Sequence, residues 1–252
     1  MNRISRRKFL TGGLITTAGV SSLAVAGGLA KRYGLVPPDG GGIFGPGETL
    51  TYAAHRLFSR HALAREFPRS MISKTPFANS IAPLSTEFKG LQSRGFTDWR
   101  LSIDGMVARP VTLSLGDLKS FPMRNQITEV VCEEGWSYVA EWIGTPLFEI
   151  LKAAGASPQG RYVVYFSIEP DWWESIDIAD ALHPQTLVTW AMNDGDLPVE
   201  FGGPLRLRIP KQLGYKSVKF LTRVMVTDSP RGFVSSLDPK SPNYGYSWFA
   251  GI

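Results

Sequence analysis

The hydrophobic and polar positions of the chain change period several times. Leu14–Val20 opens an apolar and small-residue stretch that continues to Ala30. Pro37–Gly42 and Gly45–Gly47 then break every periodic pattern and read as a flexible linker. From Glu48 to Phe67, the spacing of Leu50, Ala54, Leu57, Phe58 and Leu63 predicts an amphipathic helix. Beyond Pro68 the signal is mainly of strands. Trp99–Gly105 and Val111–Leu115 alternate, Ile127–Val131 is a β-branched run, and Arg161–Ile168, Leu205–Ile209 and Val218–Val226 are further strand candidates. Thr145-Pro146-Leu147 opens a helix through Lys152 that Gly155 stops, and Ile178–Leu182 reads as a short helix ended by His183-Pro184. Short helices among many short strands predict an α+β fold with β-rich mixed sheets. The expected organisation is a leader over 1–30, a linker over 31–47, a helical and irregular segment over 48–94 and a main domain over 95–252.

Composition changes this picture at the N-terminus. The formal net charge is +5, yet four of the 27 basic residues, Arg3, Arg6, Arg7 and Lys8, lie in the first ten positions, and no acid precedes Asp39. The remaining body is close to balance with its 22 acids, which gives nucleic-acid binding no support. The Arg6-Arg7 pair before a weakly hydrophobic stretch resembles a twin-arginine export signal. This reading predicts a periplasmic protein handled by the twin-arginine translocase. The leader is either cleaved, with Ala24-Val25-Ala26 as a candidate site, or retained as an N-terminal membrane anchor.

Candidate chemistry centres on the single cysteine, Cys132. One cysteine cannot form an internal disulfide, and a free thiol is a liability in an oxidising compartment. Cys132 is therefore expected to be buried or ligated. By itself, a cysteine at the end of a β-branched run is usually a small core residue. Gly40-x-Gly42-x-x-Gly45 lacks the preceding strand and following helix that a dinucleotide site needs. His55 and His61 are six apart and do not make a metal pair.

Three ordered blocks settle the reading of Cys132. Cys132-Glu-Glu-Gly-Trp136-Ser137 runs on to Glu141-Trp142-Ile143-Gly144-Thr-Pro146-Leu147. Ala181-Leu182-His183-Pro184-Gln-Thr186-Leu187 precedes Met192-Asn193-Asp194-Gly195 and Leu197-Pro198. Gly203-Pro204-Leu205-Arg206-Leu207 is followed by Gly214-Tyr215-Lys216-Ser217-Val218-Lys219. Together they resemble sulfite oxidase-fold molybdoenzymes over roughly residues 95 to 228, closest to periplasmic methionine-sulfoxide reductase catalytic subunits.

The resemblance implies molybdenum carried by one molybdopterin dithiolene, with Cys132 as the protein's metal ligand and catalytic residue. It assigns cofactor contacts to Arg206, Ser217, Val218 and Lys219, with Lys216 beside them, and to Ser167 and Asn79. Phe201 stands where relatives have a polar residue. An arginine-rich run after the cysteine is replaced by Glu133 and Glu134, which disfavours an anion such as sulfite. The implied activity is reduction of a sulfoxide or N-oxide such as methionine sulfoxide, with sulfite oxidation or a cofactor-free binding module as alternatives. The implied partner is a membrane cytochrome b or quinone-linked electron donor. The chain is expected to be a monomer without the C-terminal dimerisation domain of sulfite oxidases. Asp171–Glu174 reads either as a loop at the site or as a packed aromatic turn.

Overall fold

The computed structural model describes residues 28, 30, 33–40, 45–79, 82–83, 85–234 and 246–252. The Arg6-Arg7 pair, the Ala24–Ala26 site and part of the linker lie outside the described residues. Two five-stranded sheets form the body. The first has the order β2 (Val111–Ser114), β1 (Arg100–Gly105), β10 (Leu221–Thr227), β5 (Tyr162–Ser167) and β6 (Trp173–Asp177). In the second, β3 (Arg124–Val131), β4 (Ser137–Pro146), β7 (Leu187–Met192) and β8 (Gly195–Asp196) are neighbours in that order, and β9 (Arg206–Arg208) pairs with β7. Pairing is antiparallel except between β1 and β10. Short helices fill the connections, so the architecture is the mixed α+β arrangement read from the sequence.

The elements follow from local chemistry. Ser114 ends β2 and caps the helix Leu115–Ser120: its hydroxyl accepts from the Asp117 N–H, and the Asp117 carboxylate accepts from the Ser114 N–H. Leu147–Ala154 buries Leu147, Ile150, Leu151 and Ala154, and Gly155 ends it with φ 69°, a conformation that glycine adopts without a Cβ clash. These side chains join the main core with Trp99, Leu101, Tyr165, Leu207 and Phe220. A smaller cluster, Val130, Tyr138, Trp142 and Phe201, packs beside β3 and β4.

One sequence expectation is corrected. The helix expected over 48–67 covers only Pro46–Ala54, followed by a π-helical turn over His55–Ser59. It is also turned about its axis. Glu48 and Tyr52 are buried, because Glu48 accepts from the Phe249 N–H and Tyr52 donates to Asp177. Leu50, Leu57 and Phe58 face outward. A period locates an apolar face but not the surface that face meets.

His183 fastens this segment to the second sheet. Its Nδ1 accepts from the Gln185 N–H and its Nε2 lies 3.2 Å from the Ala62 carbonyl, so the neutral ring with hydrogen on Nε2 satisfies both. Burial, reinforced by the charge of Lys211, lowers its pKa to about 4. The unfolded chain therefore binds the proton first, and the contribution is complete above pH 6.5 and lost as pH falls towards 4. Over that window the wild type is expected to lose on the order of 2–3 kcal/mol relative to His183→Asn. Urea unfolding at stepped pH values checks this, and parallel stability curves would refute it.

Candidate active site

A cavity of about 920 Å³ opens where the end of β3, the 214–219 segment and the turn after β5 converge. Its volume is in the range of cofactor sites. Strand β3 delivers Cys132 to this cavity. The Cys132 N–H donates to the Trp136 carbonyl at 2.9 Å and the Gly135 N–H to the Cys132 carbonyl at 3.1 Å. That turn holds the thiol in place with 5% of the residue exposed. The thiol lies 3.4 Å from a Glu133 oxygen and 3.8 Å from a Glu134 oxygen. Trp136 Nε1 donates to the same Glu134 oxygen at 2.8 Å. Burial pushes the Cys132 pKa up to about 12, opposed by a backbone hydrogen bond from Glu134 and assisted by the charge of Glu133. A thiolate here requires a cation to displace the proton.

Across the cavity stand the basic groups. Arg206 is carried by β9 and is buried. Its Nε donates to the Ser217 carbonyl at 3.1 Å and its Nη1 to the Phe201 carbonyl at 3.0 Å. Its Nη2 makes no hydrogen bond among the described residues. Arg208, one strand position pair away, is buried as well; both guanidinium carbons lie 5.5 Å from the Trp142 ring. Burial and the charge of Arg206 lower the Arg208 pKa to about 9. Among the described residues neither arginine forms a salt bridge with a carboxylate, so the interior carries uncompensated positive charge, which favours an anionic occupant.

Lys219 extends that basic wall. Its Nζ donates to the Glu200 carbonyl at 2.7 Å. Burial and Arg206 lower its pKa to about 7, against the opposing charges of Glu169 and Glu200. The stem of Lys219 lies over Gly202, where φ is 104° and a Cβ would come within 2.7 Å of it, so this approach requires glycine. The Val218 N–H makes no hydrogen bond among the described residues, and Val218 lines the cavity.

Of the residues singled out from the sequence, Asn79, Cys132, Arg206, Ser217, Val218 and Lys219 line this cavity. Three do not. The Ser167 hydroxyl accepts from the Glu169 N–H and so shapes the turn after β5. The Phe201 ring packs on Tyr138 at 5.7 Å while its carbonyl holds Arg206. The Lys216 ammonium is fully buried and donates to Glu174 at 2.7 Å. The open choice at Asp171–Glu174 divides residue by residue. Trp172 lines the cavity, whereas Glu174 belongs to β6 and meets Lys216 in the core. Sequence reading passed over Glu169, Pro170, Tyr215 and Tyr246, which also line the wall. Tyr215 stood inside a quoted block; Glu169 and Tyr246 carried no periodic or motif signal.

The donor set limits what can be held. Among the described residues no group of three or more His, Cys, Asp or Glu side chains is placed to bind a metal ion. A metal ligated by Cys132 must therefore bring most of its other ligands with it. One thiol facing the Arg206 guanidinium and the Val218 amide fits a metal carried on an anionic organic group.

Comparison with known proteins agrees with that inference. The profile of the family described as the oxidoreductase molybdopterin binding domain matches residues 90–234. A protein of Azospira oryzae, named as a protein-methionine-sulfoxide reductase subunit, is 35% identical over 77% of this chain and 70% of its own length. The protein-methionine-sulfoxide reductase catalytic subunit of Ralstonia nicotianae is 32% identical over 52% of this chain and 44% of its own length. The crystal structure of the sulfane dehydrogenase SoxCD from Paracoccus pantotrophus superposes with a TM-score of 0.53 at 19% identity, over 75% of this chain and 51% of that one. The last likeness concerns the fold.

Proposed function

The chain belongs to the oxidoreductase molybdopterin-binding domain family, and from that premise we propose that it reduces a neutral sulfoxide or N-oxide, methionine sulfoxide foremost, in the periplasm. The balanced reaction takes two electrons and two protons to convert a sulfoxide to a thioether and water. Molybdenum with molybdopterin, the family's cofactor, supplies the two-electron redox chemistry when bound. Both reductase relatives bear names consistent with this substrate.

The observation that carries the proposal is the polarity of the cavity: Cys132 sits between two carboxylates on one side and the Arg206 wall on the other. On this reading Cys132 ligates the metal through its thiolate. Arg206 offers Nη2 to the cofactor's anionic end, with its guanidinium already oriented by the Ser217 and Phe201 carbonyls. The Val218 amide and Lys219 ammonium extend the same anchor, and an anion beside Lys219 would hold its ammonium charged. Trp136, Trp172 and Pro170 give the approach an apolar wall that excludes water. Glu133 and Glu134 repel sulfite, an anion, and leave a neutral oxide unhindered.

The twin-arginine segment supports export after folding, and a membrane cytochrome b or quinone-linked donor is the proposed source of electrons. A reduced-dye assay with methionine sulfoxide, set against an electron-acceptor assay with sulfite, tests the direction. Turnover of sulfite without turnover of any sulfoxide or N-oxide would refute the proposal. Arg206→Ala is expected to lower molybdenum per folded protein by about 10-fold or more. Elemental analysis of the purified, folded variant checks this, and an unchanged content would remove Arg206 from the anchor.

A further inference from the structure

The helix Pro46–Ala54 and the turn that follows it present an apolar face that stays exposed among the described residues. Leu50 is 70% exposed, Leu57 62%, Phe58 87% and, just beyond, Leu63 61%. Helical spacing sets Leu50, Ala54, Leu57 and Phe58 along one side, and the opposite side is the one anchored by Glu48, Tyr52 and Arg56. Four large apolar side chains projecting from one short segment exceed the scattered exposure usual on a soluble surface.

The charge along this segment is one-sided. No acidic residue occurs from Thr49 to Arg65. Glu48 is turned inward, and Glu66 pairs with Arg124. Arg60, Arg65 and Lys74 are exposed and form no salt bridge among the described residues. The rest of the body is close to neutral, so this basic surplus is local rather than general.

We propose that the 50–65 face docks on an anionic phospholipid bilayer, with Leu50, Leu57 and Phe58 entering the headgroup and acyl boundary and Arg60 and Arg65 meeting lipid phosphates. The apolar side chains of this face stand out into solvent. A fluid interface accepts them without a matching groove, and apolar area combined with cationic flanks is the recognition chemistry of interfacial helices. Docking of this kind would keep the protein at the membrane whether or not the apolar leader is retained. It depends on no assignment in the cavity.

The test uses the full chain with vesicles of pure phosphatidylcholine and of phosphatidylcholine containing phosphatidylglycerol. The wild type is expected to co-float with the phosphatidylglycerol vesicles. Leu50→Ser/Leu57→Ser/Phe58→Ser and Arg60→Glu/Arg65→Glu are each expected to weaken partition at least about tenfold, with unchanged thermal midpoints. The leader is present in every protein and cancels in the comparison. Phe58→Trp supplies a local readout: brominated phosphatidylglycerol should quench its emission beyond the quenching of the wild type. The assignment fails if all variants float like the wild type and the Phe58→Trp emission is not quenched. It fails equally if the wild type stays in the aqueous fraction with every vesicle, which would leave a protein partner for this face. A large drop in the midpoint of the triple serine variant would also overturn it, by showing that the chain itself covers these residues.

Discussion

Replacing Cys132 by alanine is expected to lower turnover with methionine sulfoxide by on the order of 10³-fold or more, while thermal stability stays within about 1 kcal/mol of the wild type. The asymmetry follows from the surroundings of the side chain. Cys132 closes a turn through its backbone, not its sulfur: its N–H and carbonyl are the groups bonded to Trp136 and Gly135. Removing a small sulfur from the cavity wall therefore costs little packing. The chemical loss is large because a thiolate is the soft ligand such a metal calls for, and no group of three or more His, Cys, Asp or Glu side chains among the described residues could take its place. Activity assays and calorimetry on the same preparation check both halves. A variant with near wild-type turnover would contradict the metal-ligand assignment, and one that fails to fold would show Cys132 to be a core residue.

Lys216→Met is expected to have the largest effect on stability, a loss of about 3–5 kcal/mol. Lys216 and Glu174 are both completely buried, at 2.7 Å from each other. The ammonium also lies 5.6 Å from the Trp248 ring, and the Lys216 carbonyl accepts from Tyr165. Removing the lysine leaves a carboxylate in the core with its ion partner gone. Lys216→Met/Glu174→Leu should recover most of the loss, because replacing both charges removes the desolvation cost as well as the attraction. Denaturant unfolding of the two single variants and the double variant measures the coupling. The same variants separate a structural lysine from the cofactor contact that the sequence resemblance suggested. Molybdenum per folded molecule should stay constant in Lys216→Met, whereas a fall with unchanged stability would place its role at the cofactor.

The legibility of this chain varied with how each element is buried. β3 was readable as a β-branched run, and Gly155 as a helix stop, because each has a local cause. β4 was missed. It is buried on nearly its whole length, so it lacks alternation, and Glu141 in its middle resembles a solvent-facing residue. In the fold that carboxylate accepts from Arg69 and Asn125. The helix Leu115–Ser120 has no counterpart in the sequence reading, which ends a strand at its first residue, although Ser114 and Asp117 carry its capping signal. The apolar face of the first helix was located, but its outward orientation depended on Phe249 and Asp177, far away in sequence. For the site, the motif blocks brought Cys132, Arg206 and the 217–219 segment together, since each lies at the end of a strand or in a tight turn. Glu169 and Tyr246 reach the same wall through long-range packing that no local pattern encodes.

Cys132 is the residue proposed to hold the metal in this cavity. X-ray absorption at the molybdenum edge, on the wild type and on Cys132→Ser, tests that role most directly. One molybdopterin would contribute two dithiolene sulfurs, so three sulfur neighbours of molybdenum are expected in the wild type and two in the variant. The same number of sulfur neighbours in both proteins would contradict it.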